Sequence, residues 1–258
     1  MATPPPSQTG RSELALRLGP EITDTELAQC ARLFSSHYGV WGTHAPPPLR
    51  PGNRVKMSAT KLRAECLSDV ANSAVVMCFV DGELVGHACA TRWTYGAHII
   101  CWITQLVVAL PHRRRGIATS LLTHLSTSAW FERVTAVGVA SSHPIACHTT
   151  QCVTYTGTPI ASLDLSFIRT HAPGILASSP APFLRGRALR GSLFHPADAQ
   201  DEKEDDGTVS LVDTAFFVAH EEPQTVLDEY KHTGEPWVLG GLAEGYEFCV
   251  IAPLSECS

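Results

Sequence analysis

The sequence predicts a mixed α/β (α+β) fold, in which helices flank a central, mostly antiparallel sheet. Three observations support this prediction. Residues 74–80 and 83–93 are apolar runs joined by Asp81-Gly82, a dipeptide typical of tight hairpin turns. A third apolar run follows from about His98 and leads through a turn into a helix. Residues 209–251 then read as strand, helix and strand, which would close the sheet.

Two helices are predicted before the hairpin. Thr23 and Glu26 form a capping box in front of apolar residues at helical spacing, which predicts a helix from Asp24 to about Ser36. A second helix is predicted from about Ser58 to Ser68, because its apolar positions also recur at helical spacing.

The strand from Ile99 to Val108 is rich in β-branched and aromatic residues, which is too apolar for a surface strand. The helix after it begins at Ile117, with leucines at offsets of three and four. A further strand is predicted at Val134–Ala140. The order of these elements predicts a mixed sheet covered by helices.

All of these elements are assigned to one domain, residues 13–252. Residues 156–208 are expected to be an insertion before the last two strands, with a helix at 163–177 and a flexible acidic loop at 196–208. The last elements are predicted as a strand at 209–220, a helix at 223–232 and a strand at 246–251. Residues 1–12 are expected to be disordered, and residues 253–258 to form a tail.

Composition excludes several classes of protein. No apolar run reaches the ~20 residues of a membrane-spanning helix, and the proline-rich start lacks the pattern of an export signal, so we expect a cytoplasmic protein without a membrane partner. Nine cysteines without a C-x-x-C pair indicate reduced thiols and no zinc site. His143 and Cys147 have the spacing of a helical metal pair, but no further ligands lie nearby. The net charge of -6 argues against a nucleic-acid partner.

The turn before the predicted helix at Ile117 has the character of an anion site. It carries Arg113, Arg114 and Arg115 followed by Gly116, in a chain that is acidic overall. A helix start presents unpaired backbone N–H groups and the positive end of the helix dipole, and a glycine allows a phosphate to approach the backbone closely. The sequence therefore predicts a ligand that carries phosphate; the alternative is a solvated basic turn that caps a core helix.

Known phosphate motifs narrow the choice of ligand. The chain contains no GK pair for a Walker loop, and Gly116 alone does not make a dinucleotide fingerprint. Arg113-x-x-Gly116-x-Ala118, between an apolar strand and a helix, resembles the Q/R-x-x-G-x-G/A loop of the GNAT N-acetyltransferase superfamily. The order of elements over roughly residues 13–155 is similar to the GNAT core, so the predicted sheet is GNAT-like.

The resemblance implies an N-acyltransferase that uses acetyl-CoA as co-substrate. The positions that it implies for cofactor binding are Leu106, Val107, Val108, Arg113, Arg114, Arg115, Gly116, Ile117, Ala118, Thr119 and His143. His143 stands where the family often has an asparagine, and Thr150 where it often has the tyrosine that protonates the departing thiolate. Tyr155, further along the same predicted helix, is therefore a candidate for that role, and a purely structural role is the alternative.

The resemblance does not assign a general base to a residue of this chain. Many family members place a carboxylate on the strand before the turn, but residues 95–110 contain no Asp or Glu. Asp213 and His220 on the predicted late strand, and Glu83 on the hairpin, remain as candidates, each with a structural alternative. Gln105 can orient a substrate but cannot take a proton.

The acceptor is predicted to be a primary amine of a small molecule, because an acidic protein suits a cationic substrate. Tyr38 and Trp41, which lie between glycines after the first helix, are candidate substrate-binding residues, with core packing as the alternative. Two other functions stay open at this stage: acetylation of protein lysines or N-termini, and coenzyme A binding without catalysis. The chain is expected to act as a monomer or homodimer.

Overall fold

The computed structural model describes residues 11–154, 159–194 and 207–254. Within these ranges, eight strands form one sheet in the order β1-β2-β3-β4-β5-β8-β7-β6. The strands are β1 Ser12–Leu18, β2 Ser73–Val80, β3 Glu83–Tyr95, β4 His98–Val108, β5 Ala136–Ser141, β6 Leu189–Arg190, β7 Leu211–Asp213 and β8 Tyr246–Pro253. The helices are α1 Asp24–His37, α2 Ala59–Cys66, α3 Ile117–Ser126, α4 Pro144–Thr154, α5 Leu165–Ser178 and α6 Glu221–His232.

Every neighbouring pair of strands is antiparallel except β4 and β5, which run parallel. The predicted mixed, mostly antiparallel sheet is therefore confirmed. The β2–β3 hairpin turns at Asp81 and Gly82, whose φ angles of 50° and 83° are those that an Asp-Gly turn supplies.

Strand β4 has two irregularities, a bulge and an incomplete pairing with β5. Cys89 of β3 pairs with Gln105 and Ala90 pairs with Ile103, so Thr104 is an extra residue that bulges from the β4 ladder. The pairing of β4 with β5 covers only Ile100–Ile103 and Ala136–Val139. Because β4 continues to Val108 and β5 to Ser141, the two strands diverge beyond this pairing and leave a gap in the sheet.

Helices cover both faces of the sheet. The faces of α1 and α2 pack with Val75, Met77 and Cys89 in one apolar cluster, which includes the fully buried Leu62. The leucines of α3 belong to the second and larger cluster, with the fully buried Trp102. Burial of one such side chain stabilises the fold by about 1.5–3 kcal/mol, so the sheet is a rigid support for the gap between β4 and β5.

Several predicted bounds shift. The predicted strand over residues 209–220 is wrong beyond Asp213, because the Asp213 carboxylate accepts the Ala215 N–H (2.9 Å) and Ala215 adopts a φ of +52°, which ends the strand in a turn. The strand Ser12–Leu18 lies in a segment for which no strand was predicted.

The predicted disordered segment 1–12, acidic loop 196–208 and tail 253–258 lie mostly outside the described residues, and the division into one domain with an insertion stays a prediction. None of the described cysteines is in a disulfide. No described helix is long and apolar enough to cross a membrane.

Candidate active site

The turn that precedes α3 has an open backbone. Gly116 adopts a φ of +75°, which glycine reaches without strain, and caps the helix. The first hydrogen bond of α3 runs from the Ser120 N–H to the Gly116 carbonyl (2.9 Å). The N–H groups of Ile117, Ala118 and Thr119 consequently have no hydrogen-bond partner among the described residues, and they carry the positive end of the helix dipole.

The space beside this turn can admit a ligand. A Cβ placed on Gly116 would meet no atom within 4 Å, so no part of the described protein covers the glycine. Arg114, Arg115 and Gly116 are exposed. The unpaired N–H groups, the uncovered glycine and the exposed guanidinium groups together fit a diphosphate.

The arginines of the turn differ in their partners. Arg113 donates to the carbonyl oxygens of Val108 (3.2 Å) and His37 (2.8 Å) and pairs with Glu222 at the start of α6. Its side chain therefore ties the end of β4 to the end of α1. Arg114 pairs with Glu229 at 3.0 Å, but its side chain remains 78% exposed.

The gap between β4 and β5 exposes backbone groups of β4. Ala109 donates its N–H to the Val85 carbonyl (2.8 Å) across the β3 edge. Since alternate residues of a strand direct their backbone groups to opposite neighbours, Leu106 and Val108 present theirs to the gap, and Val107 presents its own to β3. Two of the three predicted positions on this strand thus face the gap.

A cavity of about 120 Å³ opens where the strands diverge. Its lining comes from α1, α2, β4, β5, β8, the start of α4 and the loops that follow α5 and β7. Tyr38, Gln105 and Leu106 are the predicted site residues that lie in this lining. Trp41 lies behind it, with its ring edge-on to Phe216 at 5.3 Å between ring centroids.

Glu247 of β8 is the principal residue of the cavity that the sequence prediction missed. It is 5% exposed, forms no ion pair with any described residue and lines the cavity. Burial raises the pKa of its carboxyl from an ordinary 4.5 to about 7, and the nearby Thr214 hydroxyl and Ser142 N–H offset part of that increase. A carboxylate with a pKa near neutrality can accept a proton at neutral pH and also release it.

The side chain of Gln105 is held from behind by His87. The His87 Nε2 lies 2.7 Å from Gln105 Oε1, and burial lowers the pKa of His87 to about 4, so the ring is neutral and donates from Nε2. The Gln105 amide nitrogen contacts the Cys66 sulfur at 3.7 Å. Gln105 therefore has a fixed orientation beside the Thr104 bulge, and it presents donor rather than acceptor groups.

The other predicted catalytic residues lie elsewhere. Asp213 ends β7 and His220 precedes α6, and neither lines the cavity. Burial is the main cause that lowers the pKa of His220. Tyr155 lies outside the described residues. Glu83 begins β3 at the exposed hairpin and does not line the cavity either.

His143 has a structural role at the start of α4. Its Nδ1 accepts the Ile145 N–H (3.2 Å), as an asparagine oxygen does at a helix N-cap. Its Nε2 lies 4.0 Å from Glu222, the partner of Arg113. Burial lowers its pKa, with Arg113 and Arg114 adding to that effect and Glu222 opposing it. His143 thus borders the turn rather than the cavity.

The turn and the cavity are thus two candidate sites, one that fits an anion and one that contains a buried carboxylate. Residues 39–151 match the model of the acetyltransferase (GNAT) family. The prediction of an acyltransferase with acetyl-CoA as co-substrate is confirmed at the level of the family. The match includes β4, the turn and α3, whereas α1 and Glu247 lie outside it.

Solved structures with a similar fold include several acetyltransferases. Diaminobutyrate acetyltransferase from Paenibacillus lautus is 19% identical, over 53% of this chain and 69% of that one, with a TM-score of 0.34. An aminoglycoside acetyltransferase from an uncultured soil metagenomic sample is 16% identical, over 50% and 77%, with a TM-score of 0.36. The ribosomal-protein-S18-alanine N-acetyltransferase of Escherichia coli is 13% identical, over 54% and 74%, with a TM-score of 0.37. No curated protein sequence matches the chain.

Proposed function

We propose that this protein transfers the acetyl group of acetyl-CoA to the primary amine of a small molecule, with Glu247 as the general base. One observation carries the proposal: a buried carboxylate with a pKa of about 7 lines the cavity where β4 and β5 diverge. The family supplies the reaction class, and Glu247 supplies the proton acceptor that β4 lacks.

The cofactor side of the site would consist of the turn and the end of β4. The N–H groups of Ile117–Thr119, with Arg114 and Arg115, would bind the diphosphate. The backbone groups of Leu106 and Val108 would hydrogen-bond the pantetheine amides in the gap left by β5. Acetyl-CoA, when bound, supplies a thioester carbonyl at the cavity.

The bond changes and the proton transfers would take place in the cavity. The amine nitrogen forms a bond to the carbonyl carbon, and the carbon–sulfur bond breaks. Glu247 takes the proton that the nitrogen loses and then releases it to the thiolate, so that coenzyme A leaves as a thiol. Gln105 holds its amide N–H groups in a fixed orientation and can position the acceptor.

A small acceptor is favoured over a protein chain. Phe183, from the segment after α5, stands in the cavity wall together with Phe216 from the segment after β7. A peptide strand that crosses the cavity would have to displace these segments, whereas a small amine fits in the space of about 120 Å³.

The proposal is tested by two measurements on the full chain. Acetyl-CoA at 100 times its dissociation constant should stabilise the protein by ~2.7 kcal/mol, which a thermal shift detects; ADP is the control for a diphosphate without the pantetheine thioester. Thiol release should then depend on added amine. A chain that acetyl-CoA stabilises but that acetylates no amine would be a binding protein, and the proposal would be withdrawn.

A further inference from the structure

Part of the cavity wall is aromatic. Phe34 and Tyr38 of α1 stack with 4.3 Å between ring centroids and an interplanar angle of 18°. Phe216 approaches Tyr38 at 5.7 Å, and Phe183 completes this wall. Three separate segments of the chain thus bring rings to one surface, and an aromatic partner gains most from such a surface.

The charges of the cavity have one sign. Its lining contains the carboxylates of Glu65 and Glu247 and no lysine or arginine. The Glu65 side chain is 39% exposed and pairs with Lys61 at 3.7 Å, whereas Glu247 is buried. A substrate that carries a carboxylate or phosphate would be repelled here, while a cationic amine would be attracted before it loses its proton.

The cavity has about the volume that a single ring requires. An apolar cavity of ~150 Å³ is known to hold one benzene molecule, and this cavity measures about 120 Å³. An amino sugar would also have to lose the hydration of its hydroxyl groups against the aromatic wall, at a cost that a phenyl ring does not have.

We propose that the acceptor is an arylalkylamine, a primary amine joined by a short alkyl chain to one aromatic ring. The ring lies against Phe34, Tyr38 and Phe216, and the nitrogen points to Glu247. This inference rests on the proposed function, because it names the substrate class of the same site.

The first test compares kcat/KM for matched amines with the full chain and acetyl-CoA. 2-Phenylethylamine should exceed phenylalanine, glucosamine and 1,4-diaminobutane, each by about 10-fold or more, the ratio that one well-made apolar contact of about 1.4 kcal/mol provides. A diamine, an amino sugar or a lysine peptide that matches or exceeds 2-phenylethylamine overturns the inference and leaves the proposed acetyl transfer intact. Failure with every amine removes both.

The second test separates ring recognition from general damage. Phe216→Ala should lower kcat/KM for 2-phenylethylamine by about 10-fold, mainly by raising KM. It should change kcat/KM for propylamine by no more than about 2-fold, because propylamine has no aromatic ring that could contact Phe216. Phe167→Ala, which removes a half-buried ring outside the cavity, should change neither. Equal losses for both amines in Phe216→Ala would contradict the assignment of the ring to this wall.

Discussion

The cationic turn and the anionic cavity are the two candidate functional regions described above, and they are built in opposite ways. The turn consists of consecutive residues, Arg113 to Gly116, followed by the first residues of α3. The cavity takes its lining from α1, α2, β4, β5, β8, the start of α4 and loops that follow α5 and β7, which are up to about 200 residues apart in the chain. Both regions adjoin the divergent end of β4, so a ligand between them would contact each.

This arrangement keeps the positive charges of the turn apart from the carboxylate of Glu247, which would otherwise neutralise each other. A diphosphate requires cations, and an amine acceptor requires carboxylates, within one small site. The turn places its guanidinium groups on the exposed surface, whereas Glu247 is buried in the sheet. Because the low-dielectric interior strengthens charge effects, we expect the buried region to determine the chemistry and the exposed region to contribute mainly to binding.

The largest expected effect is on the buried carboxylate. Glu247→Gln keeps the shape of the side chain but removes the proton acceptor, so kcat/KM for the amine should fall by about 10²–10⁴-fold, the contribution typical of a general base. Binding of acetyl-CoA should stay within about 2-fold, because the turn holds the diphosphate. Steady-state thiol release and a binding titration measure the two quantities.

Glu132→Gln is the control, since it removes an exposed carboxylate far from the lining of the cavity. Activity of Glu247→Gln within a few-fold of the unmodified protein would assign the base to another residue.

The same contrast explains what the sequence could predict. The turn, its helix and the β2–β3 hairpin depend on neighbouring residues, and their patterns are legible in a single sequence. The β4–β5 gap depends on where two distant strands stop pairing, which no local pattern of residues indicates.

The proposed base, Glu247, was not predicted from the sequence for a related reason. Asp213 and His220 were chosen because residues 209–220 alternate as a strand should, but the turn at Ala215 removes both from the cavity. Glu247 lies in a strand that was predicted, Tyr246–Ile251, among apolar neighbours. A lone carboxylate in a buried strand was the available indication, since such a group is rarely buried without a partner or a function.

The titration of Glu247 should also make the stability of the protein depend on pH. Its pKa is raised from 4.5 to about 7 in the folded state, so the folded state binds more protons than the unfolded state between these values. The free energy of unfolding should therefore decrease as the pH rises from about 4.5 through 7, by an amount of order 3 kcal/mol for a shift of this size. Chemical denaturation at several pH values, compared with Glu247→Gln, isolates this contribution.

Glu247→Gln has no group to titrate, so the difference between the two proteins should be smallest below pH 4.5 and largest above pH 7, with the variant the more stable. A difference that does not vary with pH would mean that the carboxyl keeps an ordinary pKa, and its assignment as a base near neutrality would be lost.

A smaller effect is expected at the turn. Gly116→Leu places a side chain in the open space where the diphosphate would lie, and should weaken acetyl-CoA binding by about 10-fold or more, a change of at least 1.4 kcal/mol. Gly82→Leu is the matched control, because Gly82 has a similar φ of +83° and equally open surroundings in the β2–β3 turn. Both variants should lose comparable stability, about 1–2 kcal/mol, but only the first should lose affinity.

The smallest expected effect concerns the carboxylates of α6 that pair with the turn. Glu222→Gln with Glu229→Gln removes two negative charges beside the diphosphate site, and should strengthen acetyl-CoA binding by up to about 5-fold, as expected for exposed pairs worth 0.2–1 kcal/mol. The gain should shrink as salt screens the charges.

The opposite outcome, weaker binding, would mean that these carboxylates position the arginines rather than compete for them. The contacts of Arg113 argue against that, since the carbonyl oxygens of Val108 and His37 hold it independently of Glu222. Asp228→Asn is the control on the same helix, because its carboxylate accepts from Gln224 (2.8 Å) and not from the turn. Unchanged affinity in the double variant, measured by titration at low salt, would show that α6 exerts no electrostatic influence on the cofactor site.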